Sequence, residues 1–248
     1  MPAIETHFSK VHEQKIEQFT VQEVSVAIRK THNFKAPGLD GIQNIILKKL
    51  TNLHPSLCYC FNALIKETSV PSWLLQGRTT LIQKKSTSEF QASNYRPITC
   101  LSNVWKLLSS CLSDRLYSHF KINNILPCEQ KGCIKNCFGT IDQLLIDKAI
   151  TNHARQNQRN LYVSWIDFRK AFDSVSHEWI FKCLELFKVN KLYQQFLYLS
   201  FSKFLTHVYS NSKIIGKIPI KRGIFQGDSL SPLLFITSLA PLSVILNN

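Results

Sequence analysis

From Leu101 to Phe120 the chain sets Val104, Leu107, Leu108, Cys111, Leu112 and Leu116 at intervals of three and four residues. That spacing places them on one face of a helix, and a face so apolar has to be buried. A long buried helix needs other elements packed around it. With 248 residues, 44% of them hydrophobic, the chain can supply that core and is expected to be globular rather than disordered.

Shorter signals flank this run. Thr20 followed by Glu23 is a capping-box pattern, and Val24, Ala27 and Ile28 continue it as a helix over about 20–31. The Pro-Gly and Asp-Gly pairs of Lys35-Ala-Pro37-Gly38-Leu39-Asp40-Gly41 predict a tight reversal. Two further helical faces follow, one on Ile42, Ile45, Ile46 and Leu50, the other on Leu57, Phe61, Leu64 and Ile65. Arg78 to Lys85 reads as a short strand, and Pro97 biases Arg96 toward an extended backbone. A Cys, Lys and Gly-rich loop at 127–139 precedes a helix over about 140–155. Between Asn160 and Phe168, the residues Leu161, Val163, Trp165 and Ile166 predict a strand buried on at least one side. Ser176 is a candidate N-cap for a helix whose inward face is Ile180, Cys183, Leu184 and Phe187. Ile214 to Ile220 predicts another strand, and Ser231-Pro232 starts a final helix. No internal repeat or low-complexity linker interrupts the pattern.

Charge narrows the partners. The formal net charge is +14, from 30 Lys and Arg against 16 Asp and Glu, which favours a polyanion such as RNA or DNA, with an anionic membrane surface as the competing reading. No apolar run approaches the roughly 18 residues needed to span a bilayer, and no secretion signal opens the chain, so an intracellular location is expected. Eight cysteines raise the question of zinc. Cys58 and Cys60 are too close for an ordinary ligand pair, and Cys128, Cys133 and Cys137 lack a nearby fourth ligand, His153 being distant. Reduced thiols, several of them buried, and no zinc site are expected.

Two stretches carry chemistry. In Ser164-Trp-Ile-Asp167-Phe168-Arg-Lys-Ala-Phe172-Asp173, a carboxylate follows an apolar run and precedes an aromatic by five positions. Hard cations such as Mg²⁺ take one or two protein carboxylates and complete their shell with phosphates and water. Standing alone, Asp167 would be a solvated turn cap and Phe172 ordinary core. The second stretch, Arg222-Gly-Ile-Phe-Gln226-Gly227-Asp-Ser-Leu-Ser231-Pro232, would by itself be a turn before a helix.

Together these stretches resemble two core blocks of reverse transcriptases, in the form found in non-LTR (LINE-type) retrotransposons. Pro37-Gly38-Leu39-Asp40-Gly41 and Glu129-Gln130-Lys131-Gly132 also resemble that family, so the likeness spans roughly residues 30–240. The resemblance implies that Asp167, with the backbone carbonyl of Phe168, holds catalytic Mg²⁺ or Mn²⁺. It implies that Phe172 packs under the incoming sugar and favours deoxynucleotides. By the same resemblance, Gln226 and Gly227 position the nucleotide and template base, while Lys84 and Arg96 clamp the triphosphate; Lys85 is an equal alternative to Lys84. Asp173 is expected to be a structural hydrogen-bonding group. Phe225 departs from the Arg often found before the Gln. Lys35, Arg78, Lys85 and Arg222 are candidate nucleic-acid contacts, in basic segments interleaved with Tyr95, Trp105, Tyr117 and Phe120.

The fold implied is α+β, a right-hand polymerase with helix-rich fingers over 1–160, including an N-terminal extension, and a partial palm over 161–248, its small antiparallel sheet packed on helices. The thumb and the aromatic-Ala-Asp-Asp hairpin of the family do not occur here; the sequence has no Asp-Asp pair, and its last acidic residue is Asp228. The expectation is therefore an RNA-directed DNA polymerase fragment, inactive on its own, with an exposed hydrophobic sheet edge that favours self-association. RNA template, DNA primer, dNTP and the remaining palm and thumb of a longer polyprotein are the implied partners, in the nucleus or cytoplasm. A non-catalytic RNA- or DNA-binding remnant is the alternative, and a group II intron maturase or RNA-directed RNA polymerase is a third reading.

Overall fold

The computed structural model describes residues 2–83, 94–135, 137–210 and 213–247. Four helices come first: α1 (Pro2–Phe8), α2 (Val21–Lys30), α3 (Asn44–Lys49) and α4 (His54–Lys66). Strands β1 (Gln76–Gln83) and β2 (Tyr95–Cys100) follow, then helices α5 (Asn103–Ile122), α6 (Thr140–Gln156), α7 (Ala171–Ser174), α8 (His177–Leu186) and α9 (Lys191–Lys203). The chain continues through β3 (Leu205–Ser210), β4 (Lys213–Pro219) and α10 (Ser231–Asn247).

Helix α5 is the axis of the core. Leu107, Leu108, Leu112, Leu116 and Phe120 are buried along it, and Trp105 lies between Phe196 of α9, at 6.1 Å, and Phe204, at 5.3 Å. The Ser102 hydroxyl caps the helix by accepting from the backbone N–H of Val104 at 3.2 Å, and it donates to Asp40 at 2.6 Å. The Pro37 to Gly41 turn is thereby docked on the start of α5. A Cβ on Gly38 would lie 2.5 Å from the Ser102 nitrogen, so only glycine allows this approach. Helix α2 begins at the capping box that its sequence announces: Thr20 accepts from Glu23 N at 3.2 Å, and the Glu23 carboxylate accepts from Thr20 N at 2.8 Å. The same carboxylate accepts from Arg115 of α5 at 3.0 Å, joining the two helices.

The strands form one sheet in the order β2-β1-β3-β4. Its outer pairs are antiparallel, but β1 and β3 run parallel, with Arg78 opposite His207. This differs from the antiparallel palm sheet expected above. Strands joined by a long helical crossover are free to run in the same direction, and here several helices separate β1 from β3. The sheet also takes strands from both sides of residue 160. At its centre Thr79 shares short hydroxyl contacts with Thr99 and Thr206, which satisfy three buried polar groups across three strands.

A second correction concerns residues 160–168, which form no strand. No other strand among the described residues pairs with this segment, and an extended chain without a partner leaves its backbone groups to water. Trp165 and Ile166 are accordingly 76% and 74% exposed. Helix α6 forms where expected but buries none of its residues; Ile141, Leu144, Leu145 and Ile150 all face solvent. Exposed apolar surface thus lies on α6 and the segment after it, and also on the edge strand β4, where Ile214, Ile215 and Ile218 are exposed as expected.

Of the cysteines, Cys58, Cys111 and Cys183 are buried. Burial pushes the thiols of Cys111 and Cys183 up to about 12, so they stay protonated and pack as small apolar groups. Among the described residues no group of His, Cys, Asp and Glu is arranged to hold a metal by itself, and no helix is long and apolar enough to cross a membrane.

One buried imidazole ties α5 to α8. His119 Nε2 donates to the Phe187 carbonyl at 2.7 Å, and its Nδ1 accepts from Asn123 at 3.2 Å, an arrangement that suits the neutral ring. Burial holds His119 below the usual histidine range, although the bond to Phe187 works the other way. A ring with a lowered folded-state value contributes stability fully above about pH 6.5 and loses it as pH falls through the folded-state value. Each tenfold difference in proton affinity is worth about 1.4 kcal/mol, roughly 3–6 °C in Tm at this chain length. Thermal melts at pH 7.5 and 5.0 should therefore show a drop in wild type that is smaller in His119→Gln; equal drops would refute the assignment.

Candidate active site

The two chemical stretches of the sequence are bolted together by backbone. Gly223 N donates to Val175 O at 2.8 Å and Ile224 N to Phe172 O at 3.0 Å. Arg222 Nε donates to Ser174 O at 2.8 Å, and His177 Nε2 donates to Gly223 O at 2.7 Å. Gly223 sits at φ +84°, and a Cβ there would lie 2.9 Å from the Asp173 Cα and carbonyl oxygen. The strip 222–224 therefore lies directly on the chain of α7, which opens at Lys170 in a left-handed conformation, φ 52°.

This docking leaves an open cavity of about 840 Å³. Asp167, Phe168 and Asp173 line one part of it, Arg96 and its neighbours Asn94, Tyr95 and Pro97 another, and Gln226 a third. Arg169 and Lys170 also reach it. Two carboxylates and three cations thus share one solvent-filled space. Hard oxygen donors beside cationic groups fit a divalent ion together with a polyphosphate, since such an ion takes its remaining ligands from phosphate and water.

Other sequence candidates lie elsewhere. Phe172 is half-buried and stacks on Phe235 of α10, with centroids 5.1 Å apart and planes within 10°, and it does not line the cavity. Gly227 needs glycine for its φ of +103° rather than for a close approach; the nearest atom to a Cβ there would be Thr99 O at 3.9 Å. Phe225 is core, edge-on to Phe204 at 5.0 Å. Arg78 extends from β1 over the Tyr209 ring at 5.2 Å, and strand alternation puts it on the sheet face opposite Thr79 and Leu81. Arg222 lines an adjoining, more apolar recess of about 300 Å³ that shares Asp173 and Gln226 with the main cavity. Lys35 borders a separate pocket. Lys84 and Lys85 lie outside the described residues.

The sequence reading assigned no role to Arg169, Lys170 or Asp228. The first two stand inside the quoted stretch, and the structure places them in the cavity wall. Asp228 is buried beneath the Gln226 loop, where it accepts from the Ser109 hydroxyl at 2.6 Å. Burial pushes its carboxyl up, against the Ser109 hydrogen bond. It anchors the loop to α5 and lies away from solvent.

A family model described as reverse transcriptase (RNA-dependent DNA polymerase) matches residues 82–248. The retrovirus-related Pol polyprotein from type-1 retrotransposable element R2 of Popillia japonica is 34% identical over 218 residues, 86% of this chain and 29% of the relative. The probable RNA-directed DNA polymerase from transposon BS of Drosophila melanogaster is 29% identical over 234 residues, covering 92% and 25%. The RNA-directed DNA polymerase from mobile element jockey of the same fly is 26% identical over 221 residues, covering 87% and 24%. The chain thus spans between a quarter and a third of the length of these relatives, or slightly less.

Proposed function

Because the chain belongs to the reverse transcriptase (RNA-dependent DNA polymerase) family, with non-LTR retrotransposon proteins as its relatives, we propose that it supplies the nucleotide-binding part of an RNA-directed DNA polymerase. The observation that carries this reading is the single cavity shared by Asp167, Arg96 and Gln226, three residues from distant parts of the chain. In this reading, residues 1–160 act as fingers and 161–248 as part of the palm, a division of roles within one continuous sheet. RNA template, DNA primer and the rest of a longer polyprotein complete the enzyme.

Asp167 and the Phe168 carbonyl would hold a divalent ion, Mg²⁺ or Mn²⁺, which when bound neutralises charge during phosphoryl transfer. Arg96 meets phosphate oxygens with its planar fork, while Arg169 and Lys170 add positive charge to the same wall. Gln226 offers both a donor and an acceptor to the incoming base or sugar. Asp173, whose backbone carries Gly223, keeps the two blocks in register.

Arg96 provides the test. A hydrogen bond to a charged group contributes about 1.5–3 kcal/mol, so Arg96→Ala should weaken binding of a fluorescent dNTP in Mg²⁺ by roughly 10–100-fold. Binding of single-stranded RNA should change far less. Unchanged dNTP affinity, or RNA binding indifferent to nucleotide and metal in wild type, would instead favour a binder without catalytic function.

A further inference from the structure

A second pocket, of about 170 Å³, lies between the end of α2, the chain leading to α3, and the first turns of α5. Three lysines line it, Lys30, Lys35 and Lys106, with His32, Asn103 and Ser229. Among the described residues no carboxylate lines it. Lys106 is 9% exposed, and its ammonium makes one long bond, 3.4 Å, to Asn103 Oδ1. Burial holds that ammonium below the usual lysine range; Lys35 repels it as well, while Cys100, Asp228 and Asp40 pull the other way.

The nearest carboxylates lie outside the pocket wall and are shared with other groups. Asp40 accepts from Ser102 and Asp228 from Ser109, both at 2.6 Å. Asp114 lies 3.8 Å from Lys30 and is bound more closely by Lys135. Lys35 forms no ion pair with any described residue. The carbonyls that end α2 are also occupied: Ile28 O accepts from Thr31, and Thr31 O from Lys48. A small cavity walled by three lysines and no carboxylate, one of those lysines buried and repelled by another, suits an anion.

Its position identifies the anion's source. Ser229 follows Gln226 by three residues, and three residues span at most roughly 11 Å, so the pocket and the nucleotide cavity flank one loop. The geometry points to a binding site for a backbone phosphate of a nucleic-acid strand that crosses this face beside the nucleotide cavity. This rests on the proposed nucleic-acid function. The pocket is a separate contact from the cavity, and its occupant would lean on the same loop that carries Gln226.

The experiment is a salt titration of the full 248-residue chain with fluorescein-labelled single-stranded RNA, read by anisotropy. Lys30→Ser/Lys35→Ser removes the two more exposed lysines, and Lys191→Ser/Lys203→Ser on α9 removes the same charge elsewhere. Each phosphate contact on a single strand contributes about 0.7 to the slope of log K against log salt. The slope should fall by roughly 0.7 in the first variant and stay unchanged in the second. A steep wild-type slope that the first variant leaves intact overturns the pocket while sparing the nucleic-acid reading. Absence of salt-dependent RNA binding in wild type overturns the nucleic-acid reading itself. Calorimetry with inorganic phosphate separates the sources: phosphate binding lost in the variant with an unchanged RNA slope would make this a free-anion site and overturn the strand assignment.

Discussion

Asp167→Asn is expected to remove the divalent-metal dependence of nucleotide binding altogether. Asparagine keeps the size of the side chain and one acceptor oxygen, but it lacks the charge that makes a carboxylate a ligand for a hard cation. Wild type should bind dNTP more tightly in Mg²⁺ or Mn²⁺ than in a chelator; the variant should bind equally in both. Loss of an outer partner of a metal ligand commonly costs 10–100-fold, so loss of the ligand should cost on the order of 100-fold or more. Asp173→Asn distinguishes the two carboxylates of the cavity. If Asp173 acts through structure alone, its variant keeps the metal response. Retained metal dependence in Asp167→Asn would remove the foundation of the proposed function.

Gly223→Ala should lower the melting temperature by several degrees to more than twenty. Two costs combine at this position. The φ of +84° is strained for any residue with a Cβ, at about 1–3 kcal/mol, and the new methyl would sit 2.9 Å from the Asp173 backbone, an overpacking cost of about 1–3 kcal/mol. Together they reach about 2–6 kcal/mol, against a whole-domain stability of about 5–15 kcal/mol, or a Tm lower by roughly 4–24 °C. Gly41→Ala is the control, because Gly41 has a comparable φ of +67° but nothing within 4 Å of its missing Cβ. Equal losses in the two variants would show that the 222–224 strip does not rest on α7.

What the sequence makes legible is what neighbouring residues decide among themselves. The capping box at Thr20, the N-cap at Ser176 and the apolar spacing of α5 depend on contacts within a few positions, and the structure has helices there. Pairing between distant strands carries no such local mark. Residues 160–168 have the composition of a strand yet find no partner, while β3 emerges from an unremarkable stretch because β1 and β4 lie on either side of it. The site divides in the same way. Asp167, Arg96 and Gln226 stand in short motifs, and the structure brings them to one cavity. Phe172 also has a partner no motif announces: Phe235 of α10 stacks on its ring. The anchoring of Asp228 on Ser109 joins residues more than a hundred positions apart, beyond the reach of any motif.

The interleaved sheet also sets a timetable for synthesis. Roughly 120 residues separate the end of β1 from the start of β3. At about 5–20 residues per second, β1 leaves the ribosome about 6–24 s before the strand that will cover its second flank. Throughout that delay the β1–β2 hairpin presents an open row of amides and carbonyls to whatever is near, including the same hairpin on a neighbouring nascent chain.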